Sequence, residues 1–199
     1  MFISCKIHVM SAGASLNEQS FLSHLFVPSL VLAYFSTWIL EALTGVFLKD
    51  IALTFFGSSD PVQIAAASQL VTISSVVSVV FGVLLGILSV RFSHRRLLLI
   101  GVLCIVVGTL GCFFASSFLL MQVFFPVEGI GTVMVGAMSF ALVGEFLVLS
   151  KRPKASGWIL AGGPLGGIVG SLVISFFFAS VGAEGWRSFL LWFALPVSL

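Results

Sequence analysis

Two acidic residues lie inside apolar sequence and are the first candidates for chemistry: Glu41 and Glu128. A carboxylate near the centre of a membrane helix costs about 2.5–3.5 kcal/mol on insertion scales, so such groups face a bundle interior or a wet cavity. At helical spacing, Tyr34, Thr37, Glu41 and Thr44 share one face, and Glu128, Thr132 and Ser139 share another at i, i+4 and i+11. Polar faces of this kind suit binding of a proton or a cationic solute. Low dielectric favours the neutral form of a carboxyl, which fits proton uptake and release near neutral pH. The alternative is that each Glu sits near a helix end and reaches headgroups or water.

Other chemistries find little support. His8 and His24 lie near the entry to the first apolar stretch and His94 lies in a basic loop, none with a catalytic partner in sequence reach. No Ser nucleophile turn with a matching His occurs, so an enzyme is not expected. Cys5, Cys104 and Cys112 form no CxxC or Cys/His cluster and read as small apolar packers, with no metal and no cofactor implied. The net charge of +2 and the lack of a basic run with interleaved aromatics argue against nucleic acid.

The elements that must carry these acids follow from hydropathy. Apolar residues make up 59% of the chain and charged ones 8%, against about 25% charged in soluble domains. Lipid is therefore the expected solvent and an expected partner. An all-α integral membrane fold is predicted: a polytopic helix bundle of about five and a half transmembrane helices. The stretches run roughly 24–48, 63–89, 97–115, 118–142 and 156–180, with an incomplete one at 188–199. They are long and apolar on all faces, which excludes barrel strands. Residues 1–20 read as a tail and 21–199 as the bundle. As a helix, Ser188 to Leu199 covers roughly 18 Å, against about 30 Å of hydrocarbon. The chain thus reads as a fragment, or as a half whose last helix something else completes.

Lys and Arg set the expected orientation. Arg91, Arg95 and Arg96 follow the second helix, and Lys151, Arg152 and Lys154 follow the fourth. The loops after the first, third and fifth hold Lys49, none and Arg187. The two basic loops, and with them the N-terminus, are expected on the cytoplasmic side of the cell membrane. The bland reading of these residues is topology alone.

Two further features concern packing. The run Gly162-Gly163-Pro164-Leu165-Gly166-Gly167-Ile168-Val169-Gly170 contains GxxxG steps at 163/167 and 166/170, and Pro164 favours a kink. It reads as a flexible interface, or as helix packing alone. Ser68, Ser75, Gly82 and Ser89 at seven-residue spacing read as a close-packing seam on the second helix.

Three motifs now carry a resemblance. Gly86-Ile-Leu-Ser-Val-Arg-Phe-Ser-His-Arg-Arg resembles the loop between the second and third helices of the major facilitator superfamily, G-x-L-A-D-R-x-G-R-R. Gly86, Leu88, Arg91, Arg95 and Arg96 match; Val90 replaces the Asp and Ser93 the second Gly. Glu145 and Arg152 resemble the E-x6-R-G motif of sugar and metabolite porters, with Pro153 in place of Gly. Gly185-Trp186-Arg187-Ser188-Phe189 resembles the G-W-R-x-F entry to the sixth helix. The glycine run resembles a motif of drug:proton antiporters, with its Gly pair one residue early.

The resemblance covers about residues 25–199, one six-helix half of a twelve-helix fold. It implies secondary active transport of a small solute by alternating access. It also implies a cavity lined by the first and fourth helices, where Tyr34, Thr37, Glu41, Glu128, Thr132 and Ser139 are the binding candidates. In the family's helix-four pattern, R-x-x-Q-G-x-G, Glu128 falls on the Gln and Phe125 on the Arg. A cytoplasmic gate is implied at Gly86, Arg91, Arg95, Arg96, Glu145 and Arg152, with Glu145 expected to pair with Arg91 or Arg152. Gly163, Pro164, Gly167 and Gly170 are the packing and kink candidates. Proton coupling is expected, with symport the working reading and antiport left open. The implied partners are a small-molecule substrate, protons, and a C-terminal half or partner chain. The alternative is a truncated or relic half-transporter with no transport of its own.

Overall fold

The computed structural model describes residues 16–178 and 185–190, and side chains from residue 25 onward except at 43, 44, 177 and 178. The described residues form helices and short turns. They are α1 (Leu16–Phe56), α2 (Pro61–Arg91), α3 (His94–Phe114), α4 (Phe118–Phe146), α5 (Arg152–Val173), a π-helical continuation (Ile174–Phe178) and the short α6 (Gly185–Phe189). Among the described residues, five helices are long and apolar enough to cross a membrane. The sixth expected span, 188–199, lies mostly outside the described residues.

Helix ends follow local chemistry. α1 runs through Lys49-Asp50 and stops at Gly57, whose φ of 74° puts it in the left-handed region that glycine adopts without penalty. Pro61 then opens α2 behind an extended Asp60, since proline at a first helical position gives up no hydrogen bond. Ser117 caps α4 by accepting from the Leu120 amide at 3.3 Å. α1 begins at Leu16, inside the stretch read as a tail, because nothing between Leu16 and Ser20 forbids a helix although that segment is polar.

Two helix pairs come closest, and glycine is the reason. On α3, a Cβ at Gly108 would lie 2.6 Å from the Glu128 amide nitrogen, and one at Gly101 would lie 2.8 Å from Met134 Cβ. From α4, a Cβ at Gly131 would lie 2.7 Å from the Ile105 nitrogen. α5 meets α1 the same way: a Cβ at Gly166 would run into the Phe35 carbonyl, and one at Gly170 would lie 3.2 Å from Ile39 Cα. In lipid there is little hydrophobic drive between helices, so such close backbone approach supplies the association.

The main core joins α1, α2, α3, α4 and α6 through Ile39, Phe47, Leu70, Ile105, Met121 and Trp186. Trp186 is fully buried and donates from Nε1 to Thr54 Oγ1 at 3.2 Å. Arg187 donates to the Ala115 carbonyl at 2.9 Å, tying α6 to the end of α3. A second cluster, Leu30, Leu142, Val143, Ala155 and Ile159, closes the opposite end, where the basic loops lie. The outer face of α2 stays bare: Val76, Val79, Val83 and Ile87 are all more than half exposed, as suits a lipid or protein neighbour rather than water.

Candidate functional site

A cavity of about 490 Å³ opens between α1, α2 and α4. α1 contributes Tyr34, Thr37, Trp38 and Glu41. α2 contributes Ser74, Ser75 and Ser78, and α4 contributes Phe125, Glu128, Thr132 and Phe140. Both acids of the sequence reading therefore meet one space, although they are 87 residues apart in the chain.

The two carboxyls differ in setting. Glu41 is exposed on the cavity wall. Glu128 is 4% exposed, and its Oε2 has no hydrogen-bond partner among the described residues. The burial has a structural cause. Gly108 lets the α3 backbone press against Glu128, and Gly129 lets Ser74 and Ser78 approach α4 beside it. No Lys, Arg or His lines the cavity among the described residues. Burying a carboxylate oxygen without a partner is costly while the group is charged.

Aromatic rings form part of the remaining wall, beside Leu40, Val71 and Val133. Tyr34 lies edge-to-face with Trp38 (centroids 6.4 Å apart) and with Phe140 (5.8 Å). The cavity thus pairs negative charge with flat apolar surface. Such walls also attract cations through the ring quadrupole.

The remaining binding candidates fall into place unevenly. Thr37 and Thr132 line the cavity, but each donates its hydroxyl to its own helix, to the Tyr34 carbonyl at 2.7 Å and the Gly129 carbonyl at 2.9 Å. Ser139 is fully buried, donates to the Val135 carbonyl at 2.7 Å, and is not on the cavity wall. The cavity wall on α4 ends at Gly136, Ala137 and Phe140, and Ser139 beside them lies in packed helix. The Thr44 side chain lies outside the described ones.

At the basic end, Glu145 does not take the expected Arg partner. His94 Nδ1 lies 3.0 Å from Glu145 Oε2. Arg152 instead donates from Nε to the Leu147 carbonyl at 2.9 Å, and the Arg95 guanidinium stacks 4.6 Å over the Phe146 ring. Three consecutive residues at the end of α4 are therefore held from α3 and from the start of α5. His94 wins because it opens α3, whose close packing on α4 sets it beside Glu145. Arg91, Arg96 and Lys154 are exposed, and a Cβ at Gly86 would meet open space.

The glycine run also differs in detail. Gly162, Gly163, Gly166 and Gly170 face α1, whereas a Cβ at Gly167 would make only an ordinary 3.6 Å contact with Trp38, and Pro164 is exposed. On α2, the buried positions are Ala67, Leu70, Ser74 and Leu85. The seam read at Ser68, Ser75, Gly82 and Ser89 is therefore rotated away from the main contact.

Sequence reasoning missed Trp38, Ser74, Ser78, Phe140 and His94. Ser74 and Ser78 carry an i, i+4 signal that was legible. The aromatics carried none, since the chain has 21 Phe and 4 Trp, most at ordinary lipid-facing or packing positions.

Comparison with known proteins agrees with this architecture. Residues 30–199 match the family model described as Major Facilitator Superfamily. The chain is 37% identical over 117 residues to a multidrug resistance protein B homolog of Mycobacterium tuberculosis, covering 55% of this chain and 19% of that protein. It is 30% identical over 191 residues to the multidrug transporter AQR1 of Candida glabrata, covering 86% of this chain and 30% of that one. It is 26% identical over 174 residues to the uncharacterized MFS-type transporter YvkA of Bacillus subtilis, covering 85% and 36%. The chain thus spans well under half the length of each of these relatives. A family model matched over most of the chain, on a bundle of membrane-length helices, places it: the chain belongs to the Major Facilitator Superfamily and is a multi-pass membrane protein.

Proposed function

We propose that this bundle is the solute-binding part of a secondary transporter that moves a small organic cation, coupled to protons, by alternating access. One observation carries the reading: two carboxylates and several aromatic rings share a cavity into which no basic side chain points among the described residues. An anionic solute would find no counter-charge there. Glu41, exposed on the wall, is the group for the solute's charge. Glu128, buried and with an unpartnered oxygen, is the group for the proton. Two of the relatives are named as multidrug proteins, which supports a solute with an apolar body.

The basic end of the bundle faces the cytoplasm in this reading, by the charge rule for membrane loops. The contacts on Glu145, Phe146 and Leu147 then form the cytoplasmic gate.

The test is uptake of tetraethylammonium into proteoliposomes under imposed pH gradients of either sign. Uptake that follows the gradient supports the proposal, and the productive sign separates symport from exchange. Solute binding without uptake would favour a second reading, a half-transporter that binds but does not move solute alone. Equal binding of an organic anion of similar size would sink the charge argument.

A further inference from the structure

We infer that Gly163, behind the cavity rather than in it, sets the size of solute the cavity accepts by seating Tyr34 and Trp38. The inference rests on the reading of the cavity as the solute site.

Gly163 belongs to α5, which does not line the cavity. A Cβ there would lie 2.7 Å from Trp38 Nε1, 2.9 Å from Trp38 Cε2 and 2.8 Å from Tyr34 Cε1. Carbon atoms do not approach that closely, so the rings occupy space that only a glycine leaves free. Tyr34 meets a second glycine on its other edge: a Cβ at Gly136 of α4 would lie 3.1 Å from Tyr34 Cε2. The phenol ring therefore sits in a slot between Gly163 and Gly136.

Separating α1 from α5 would forfeit the close backbone packing that joins them. On either side of Gly163, a Cβ at Gly162 would meet Val31 at 3.0 Å, and one at Gly166 would meet the Phe35 carbonyl. A methyl group at 163 meets only ring atoms, so ring movement accommodates it at lower cost than helix movement. Phe140 blocks one direction, packed on Tyr34 at 5.8 Å. The open direction is the cavity, which both rings already line. Gly163→Ala should push the indole and the phenol into the solute space and narrow it. Gly167 is the natural control. It lies four residues on, and its added methyl would touch the same indole at 3.6 Å without displacing it.

The experiment has two arms, both in the full chain reconstituted in liposomes with Cys5, Cys104 and Cys112 replaced by Ala. The first reads cavity size without any transported solute. Ser78→Cys on the cavity wall is labelled with maleimides of increasing bulk. Gly163→Ala should slow the bulky reagents severalfold more than the small one, and Gly167→Ala should not. The second arm compares uptake of tetramethyl-, tetraethyl- and tetrapropylammonium. Gly163→Ala should lower the large-to-small uptake ratio, chiefly through KM for the larger ions. Trp38→Phe alone should raise the ratio, and Trp38→Phe combined with Gly163→Ala should restore it in both arms.

Labelling that Gly163→Ala leaves unchanged overturns the inference. So does an unaltered uptake ratio alongside narrowed labelling, or a double variant no better than Gly163→Ala. Should Gly163→Ala fail to fold, Trp38→Phe decides alone, because a ratio it does not raise overturns the inference. Narrowed labelling with no wild-type uptake of any of the three ions overturns the cation reading instead and leaves the ring seating standing.

Discussion

His94 Nδ1, on the first residue of α3, lies 3.0 Å from Glu145 Oε2, one residue before the end of α4. A carboxylate at a helix C-terminus opposes the helix dipole, and a protonated imidazole beside it offsets that. Both side chains are partly exposed, at 31% and 49%, so the pair is worth no more than about 1 kcal/mol. A double-mutant cycle of His94→Gln and Glu145→Gln, read by unfolding in detergent, should give a coupling below that figure. A coupling of opposite sign, or one well above that figure, would contradict the assignment.

The α3–α4 seam gives a sharper stability prediction. Gly108→Ala forces a methyl against the Glu128 backbone, where no side chain can swing aside. The expected loss is about 1–3 kcal/mol, the usual range for overpacking. Gly157→Ala on α5, where a Cβ would meet nothing within 4 Å, should stay within about 1 kcal/mol of wild type. Thermal unfolding of the two variants side by side checks both.

Trp186 anchors α6 to α1. Trp186→Phe removes the hydrogen bond to Thr54 and part of a fully buried ring system that also packs on Phe55 at 6.0 Å. Thr54 keeps its own hydrogen bond to the Asp50 carbonyl at 2.8 Å, so the lost hydrogen bond itself should cost about 0.5–1.5 kcal/mol. Trp186→Ala should cost about 3–5 kcal/mol. Equal effects of the two substitutions would show that packing of the ring contributes little.

Glu128→Gln keeps the side-chain volume and removes the exchangeable proton. In the proposed cycle it should leave solute binding close to wild type, reduce gradient-driven uptake to background, and flatten the pH dependence of what remains. Glu41→Gln should instead weaken binding of the cation. Unchanged pH-dependent uptake in Glu128→Gln would remove the proton from this site.

Topology is checked by thiol labelling. Cysteines placed at Arg95 and Lys151 should react from the same side of the membrane, and one placed at Asp60 from the other. Labelling of Arg95 and Lys151 from opposite sides would be incompatible with the order of the helices.

Local chemistry sufficed for the helices and for the acids. Long apolar runs have one stable form in lipid, and a carboxylate inside such a run must find a protected place. That is why Glu41 and Glu128 stand out from the amino-acid order alone, and why the glycine run on α5 reads as an interface. Tertiary structure decided the rest: that Ser139 turns from the cavity, that Ser74 and Ser78 turn toward it, that Glu145 meets His94, and that Gly163 lies behind Trp38. These depend on how each helix is rotated about its axis and, for Ser139, on how far along α4 the cavity reaches. Helices apolar on every face carry no stripe that fixes this rotation. It is set by close fit between glycines on one helix and backbone or rings on the next, a relation between distant residues that no local pattern records.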